Sequence, residues 1–223
     1  MITRSTILHL RFPFSWFLLP IYLLALISAG RIDPAKAWIA FFVLHFLLYP
    51  AANGFNSFYD RDQESIGALE RPPSVTPDLL WVSLALDAAA VAIALAVGPI
   101  FALGCLLYGL GSKAYSSPAI RLKRHAFAGW LIAGFGQGGI VFLMVMWSVQ
   151  VPPVNWTAGA GISAIAASLF TLGLIPITQI YQHREDIAQG CETISVKLGV
   201  RGTFYLAALT AAAVALALLV PRV

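Results

Sequence analysis

Seven apolar runs, separated by short polar segments, dominate this 223-residue chain. They lie at about 14–30, 37–58, 78–97, 99–116, 127–150, 157–181 and 203–220. An α-helix rises about 1.5 Å per residue, so roughly 20 apolar residues cross a hydrocarbon core about 30 Å thick. No water reaches the backbone there, and a run of this length closes its hydrogen bonds as a helix. Charged residues make up 11% of the chain, against about 25% in soluble domains. Mean hydropathy is +0.81. These features predict an all-α, polytopic transmembrane bundle, an integral multi-pass membrane protein with one domain over 1–223.

Gly98-Pro99 alone divides the third and fourth runs, which predicts a tight helical hairpin. Residues 4–12 suit a short interfacial helix. Arg4 and Arg11 precede the first run as they would in a signal peptide. That run, Phe14 to Ala29, is longer than a signal core and contains Pro20, so it reads as an uncleaved span.

The chain carries +4 net charge with a pI near 9.3. Its basic residues sit in loops between apolar runs, where membrane topology explains them and no nucleic-acid partner is implied. With a cytoplasmic N-terminus, that side holds eleven Lys and Arg and the other holds three, namely Arg31, Lys36 and Arg222. The positive-inside rule therefore predicts a cytoplasmic N-terminus, and seven spans put the C-terminus outside. Loops 59–77, 112–126 and 182–202 are then cytoplasmic and long, so function is expected on that face. Cys105 lies in an apolar run and Cys191 in a polar loop, which argues against a disulfide between them.

The second run ends in Asn53-Gly-Phe-Asn56-Ser-Phe-Tyr-Asp60-Arg-Asp62-Gln-Glu64, followed by Arg71-Pro72-Pro73. If the helix beginning near Lys36 continues through it, Asn53, Asn56, Asp60 and Glu64 share one face. Such a strip is either a solvated helix end or a set of oxygen ligands. A second copy favours ligands. Gln179, Gln182 and Asp186 repeat the steps of three and four, and Pro50 and Pro176 stand at the same offset before the first amide. Two facing helix ends of this kind suit metal ions with an anionic ligand. Hard cations such as Mg²⁺ prefer oxygen and are often shared between carboxylates and phosphate.

A basic loop, Lys113 to Arg124, is expected on the same face. Acidic strips beside a basic loop suit a diphosphate. Carboxylates alone repel it; an intervening divalent cation reverses the sign. Arg71, Arg121 and Lys123 are candidates for the remaining phosphate oxygens. An allylic diphosphate ionises to a carbocation, and aromatic faces stabilise cations. Phe55, Phe58, Tyr59, Tyr115 and Tyr181 lie near these segments. Equally, they suit an interfacial aromatic belt.

These patterns resemble the signatures of the UbiA superfamily of intramembrane prenyltransferases. Asn56-x-x-x-Asp60-x-x-x-Glu64 with Arg71-Pro72 is similar to its first motif, in which the last position is an aspartate. Gln182-x-x-x-Asp186-x-x-x-Gly190 with Thr193 and Leu198-Gly199 is similar to the second, which begins with an aspartate. Tyr115 to Arg124 is similar to the tyrosine and basic residues after the family's fourth helix. The resemblance implies Mg²⁺-dependent ionisation of a prenyl diphosphate and transfer to a lipophilic, commonly aromatic, acceptor in the bilayer. Asn56, Asp60, Glu64, Gln182 and Asp186 would hold the metal. Arg71, Arg121, Lys123 and Asn53 would bind diphosphate. Asp60, Asp186 and Tyr115 would be catalytic. The family fold has nine helices, and the seven spans here correspond to it without its last two. Gln182 removes one negative charge from the second metal site. Helical geometry turns Asp62 away from the strip and leaves Glu185 at its margin.

Two further residues are candidates for an acceptor cavity. Asp87 lies mid-span, where a charge costs roughly 2.5–3.5 kcal/mol on insertion scales. A hydrogen bond to a neighbouring helix explains it as well. His45 shares the face of Asn56, about three turns deeper, and also suits an interhelical hydrogen bond. Gly134 and Gly138 have the spacing of a close helix contact. A transporter and a non-catalytic lipid-binding relative are the competing functions. Polar strips at one surface in one orientation weigh against a transporter, which favours inverted repeats and midplane sites. The neutral Gln182 supports the non-catalytic relative.

Overall fold

The computed structural model describes residues 2–152 and 156–219; Val220 and Arg222, used above for the last span and the outer side, lie outside them. All seven expected spans are helical. A short helix α1 (Arg4–His9) leads into a 3₁₀ turn, Phe12–Leu18, and then α2 (Leu19–Ser28). The remaining helices are α3 (Pro34–Asp60), α4 (Asp78–Ala94), α5 (Pro99–Ser116), α6 (Ala126–Val149), α7 (Ala158–Gln179), α8 (His183–Ala188) and α9 (Ile194–Leu219). Five helical segments are long and apolar enough to cross a membrane: Arg4–Ser28, α3, α6, Ala158–Ala188 and α9. The hairpin helices α4 and α5, of 17 and 18 residues, reach the lower end of the spanning range.

Local chemistry sets the helix starts. Asp33 accepts from the amides of Ala35 (2.9 Å) and Lys36 (3.2 Å), and Pro34 follows at the first helical position. Thr157 caps α7 by accepting from Ala160 N at 3.1 Å. Pro99 opens α5 after Gly98, whose φ of 152° makes the hairpin turn. The short helix α1 is docked rather than loose. Thr6 donates to Asp78 at 2.6 Å, and His9 Nε2 lies 2.8 Å from the Pro73 carbonyl.

Helix pairs α7/α9, α3/α4, α6/α7, α4/α5 and α2/α6 surround a core that includes Tyr22, Leu44, Leu48, Phe101, Phe142 and Met146. The glycines of α6 allow its closest contact, as their spacing suggested. A Cβ on Gly138 would strike the Ala167 carbonyl and sit 2.7 Å from Ser168 Cα, and one on Gly134 would strike Leu172. Two π-helical turns interrupt the spans, Val43–Leu48 in α3 and Gly136–Ile140 in α6. Pro176 sits inside α7 and cannot donate to the Leu172 carbonyl four residues back. Trp130 Nε1 of α6 donates to that carbonyl at 2.8 Å, so the freed acceptor is satisfied across the helix pair.

Gly138→Ala is expected to destabilise the bundle by about 1–3 kcal/mol through overpacking. Gly136→Ala meets nothing within 4 Å and is expected to leave the melting temperature in detergent unchanged or raise it. Equal melting of the two variants would contradict this account of the α6/α7 contact.

Candidate active site

Both polar strips end at one cavity of about 310 Å³. From α3 it takes Asn53, Asn56 and Asp60; from the end of α7, the following turn and α8 it takes Gln179, Gln182 and Asp186 in that order. Tyr115, Ser116 and Lys123 line it from the α5 side, and Leu107, Ile132, Ile140 and Leu174 carry it into the bundle. The cavity therefore has a polar mouth and an apolar interior. Tyr49, eleven residues before Asp60 on α3, lines it too, which places its far end about 16 Å deeper by helix rise.

Asp60 is the centre of the polar end. Its side chain is almost fully buried. Lys123 Nζ lies 2.6 Å from Oδ1 and Arg121 Nη2 3.7 Å from the same atom, while Asn56 donates to Oδ2 at 2.6 Å. The buried Asp186 accepts from Thr193 at 3.4 Å. Tyr115 OH accepts from Gln179 Nε2 at 3.1 Å, and Gln179 Oε1 is buried without a partner. Arg121 also donates to Gln189, whose amide donates to the Asp60 carbonyl at 3.0 Å. Gly129 lets α6 approach this loop, since a Cβ there would lie 3.0 Å from Lys123 Cα.

The first strip is shorter than the sequence implied. Arg61 takes a left-handed conformation (φ 52°) and ends α3, so Glu64 is not on the helical face. Glu64 instead faces solvent and pairs with the exposed Arg184 at 3.2 Å. The same reversal brings Asp62 back to the site, where helical continuation would have turned it away. Asp62 accepts from Gln182 Nε2 at 3.1 Å. Glu185, expected at the margin, accepts from the amides of Gln63 and Glu64 (2.9 Å for the latter) and pins this turn. The second strip is likewise no single α-helix: a 3₁₀ turn, Ile180–Gln182, separates α7 from α8. Its three polar residues nonetheless line the same cavity.

Three other candidates lie elsewhere. Arg71 is exposed and outside the cavity lining. Asp87 pairs with Lys113 across the α4/α5 hairpin and does not line the cavity. His45 is buried in an aromatic box of Trp16, Tyr22, Phe41 and Tyr49, with Nδ1 3.2 Å from the Phe41 carbonyl of its own helix. One residue was missed. Arg11, 7% exposed, lines the cavity with its guanidinium donating to the Asn53 carbonyl at 3.3 Å, in the field of Tyr181, Asp62 and Asp60. Its signal was position, at the end of an amphipathic segment; it read instead as a topological charge.

Among the described residues no three His, Cys, Asp or Glu side chains converge as a preformed metal cluster. The donor set still fits a hard cation. It offers the carboxylates of Asp60 and Asp186, the amides of Asn56 and Gln182, and the orphaned Gln179 oxygen.

A profile of the UbiA prenyltransferase family matches residues 17–223. The chain belongs to the UbiA prenyltransferase family. Comparison with curated proteins gave no sequence match. Among solved structures, a UbiA homolog from Archaeoglobus fulgidus bound to GPP and Mg²⁺ superposes with a TM-score of 0.75 at 18% identity, covering 98% of this chain and 79% of that chain. The DMAPP and Mg²⁺ complex of a UbiA homolog from the same organism gives 0.72 at 18%, with the same coverage. A structure of digeranylgeranylglyceryl phosphate synthase gives 0.63 at 18%, covering 96% and 75%. At these identities the likeness establishes the UbiA fold.

Burial and the neighbouring Asp60 and Glu185 carboxylates push the Asp62 carboxyl up from 3.8 to about 7. Across that window the unfolded chain ionises while the folded one keeps its proton, so folding stability falls as pH rises from about 4 to 7. In chelator, the melting temperature is expected to be higher near pH 5 than near pH 8 through this group. Asp62→Asn should flatten that part of the profile; an unchanged slope would contradict the assignment.

Proposed function

We propose that the protein transfers a prenyl group from a prenyl diphosphate to a lipophilic, aromatic acceptor within the membrane, with Mg²⁺ as cofactor. One observation carries the reading. Two amide–carboxylate strips, 120 residues apart in sequence at the Gln182 and Asp62 contact, share one cavity with a buried lysine at its polar end. Family membership and the homolog complexes with GPP or DMAPP and Mg²⁺ support it.

On this reading Asn56, Asp60, Gln182 and Asp186 hold the metal. Bound Mg²⁺ neutralises the diphosphate and eases its departure. Lys123, Arg121 and Arg11 hold phosphate oxygens as point charge and paired donors. Asn53 is tied to this end: its amide donates to the Leu10 carbonyl at 3.4 Å, beside Arg11. Tyr115, oriented by Gln179, presents its ring and hydroxyl to the reacting carbon and stabilises positive charge there. The apolar walls hold the tail and exclude water from the ionised chain. Glu64 and Arg71 act here only if the loop at 61–77 closes over a bound ligand. The positive-inside bias favours a cytoplasmic site.

The test is transfer of a labelled prenyl diphosphate, with Mg²⁺ and a lipid extract, with the product identified by mass. Asp60→Asn and Asp186→Asn are each expected to lower turnover at least about 100-fold, the scale of losing electrostatic stabilisation of the reacting charge; Asp186→Asn does so in protein that melts normally, whereas Asp60→Asn also lowers the melting temperature by leaving the buried Lys123 without its carboxylate. Full activity in both variants would refute the metal role. Binding without turnover against several acceptors would favour the non-catalytic relative.

A further inference from the structure

Gln182 stands where a second metal-binding carboxylate is expected, and its surroundings answer the lost charge. An amide has two ends, a donor and an acceptor. Gln182 donates Nε2 to Asp62 Oδ2 at 3.1 Å. Its Oε1 makes no hydrogen bond to the described residues, and the residue lines the cavity. Asp62 is 9% exposed and does not itself line the cavity. It stands behind the amide, brought there by the left-handed Arg61 and by the Glu185 cap on the amides of Gln63 and Glu64.

We propose that Asp62 is a positioning residue that fixes the Gln182 amide with its oxygen toward the cavity and supplies, from the other strip, the negative charge that Gln182 lacks. This rests on the reading of the cavity as a metal–diphosphate site. A carboxylate behind a neutral ligand orients it and raises its donor strength, as outer partners of metal ligands do. The charge and the ligand oxygen are thus divided between two residues from two helix ends. A substitution at one is answered at the other.

The divided roles predict a rescue. Mn²⁺ binding is measured at pH 8, above the range in which Asp62 keeps its proton, in the presence of inorganic pyrophosphate, by paramagnetic resonance and calorimetry, on the full chain in detergent. Asp62→Asn keeps the size and an acceptor oxygen while removing the charge, and is expected to weaken Mn²⁺ roughly 10–100-fold, the usual range for outer partners. Asp62→Asn/Gln182→Asp returns the carboxylate to the cavity side and is expected to bind within a few-fold of wild type. Gln182→Asp alone sets two carboxylates face to face, and its loss of melting temperature should be relieved by Asp62→Asn. That coupling is read from stability and stands even if one variant binds no metal. Wild-type affinity in Asp62→Asn, or a double variant no better than the single one, would overturn the role of Asp62. No Mn²⁺ binding by wild type with pyrophosphate would instead overturn the underlying site reading.

Discussion

The buried Asp60 carboxylate is the interaction on which the polar end of the bundle depends. Taking a carboxylate out of water costs several kcal/mol unless it is paired and hydrogen-bonded. Here the partners come from three separate places. Asn56 comes from the preceding turn of α3, Lys123 and Arg121 from the loop after α5, and Gln189, on the backbone side, from the end of α8. No one of these segments can shift without leaving Asp60 exposed to an apolar interior. Arg121 itself adopts a left-handed conformation (φ 47°), one that side-chain-bearing residues resist by about 1–2 kcal/mol. Its double attachment to Asp60 and Gln189 offsets that strain.

Around this node the helices deviate from regularity where the cavity needs room. α6 is tight on one side and hollow on the other. Gly134, Gly138 and Gly139 press it onto α7, while Gly136 and Gln137 of the same π-turn face the cavity. Thr171 of α7 donates to the Gly134 carbonyl at 2.6 Å just before that turn, so the widened helix carries an interhelical bond at its start. Pro176 interrupts the hydrogen-bond ladder of α7 three residues before the amide strip, and Trp130 takes the freed carbonyl. Membrane helices tolerate such breaks only when a neighbour satisfies the released groups. One neighbour belongs to each helix, Trp130 to α6 and Thr171 to α7, so the opening of the cavity and the α6/α7 contact are one structural device.

Much of this was legible in the sequence, for identifiable reasons. Run length placed the spans because a spanning helix is a length requirement before it is a packing one. Spacings of three and four placed Asn53, Asn56 and Asp60 on one face because α3 remains helical through Asp60. Beyond that point the reading failed at a single residue. Arg61 ends the helix in a left-handed conformation that an arginine does not advertise, and Asp62 and Glu64 exchange sides as a result. Arg11 was obscured in the same way, with a φ of 47° and a charge that topology already explained. Asp87 and His45 each admit a cavity role and a hydrogen bond to a neighbouring helix, since polar residues in spans are often functional. Their answers are local, a lysine across the hairpin and a carbonyl one turn back. The Gly98-Pro99 turn, which folds α5 back along α4, carried a signal for the first.

The charge balance of the ligand-free site bears on what it accepts. Lys123 is held by Asp60 and is almost fully buried, so a phosphate oxygen reaches it only if Asp60 receives another cation. A divalent cation arriving alone would displace Lys123 from Asp60 and cost that ammonium its contact partner in a low-dielectric setting. A diphosphate arriving alone would claim Lys123 and leave Asp60 facing it as a like charge. Only the two together exchange every partner for one of the same sign. On the proposed reading, cation and diphosphate therefore bind as a coupled pair, and the buried Asp60–Lys123 bridge is what couples them.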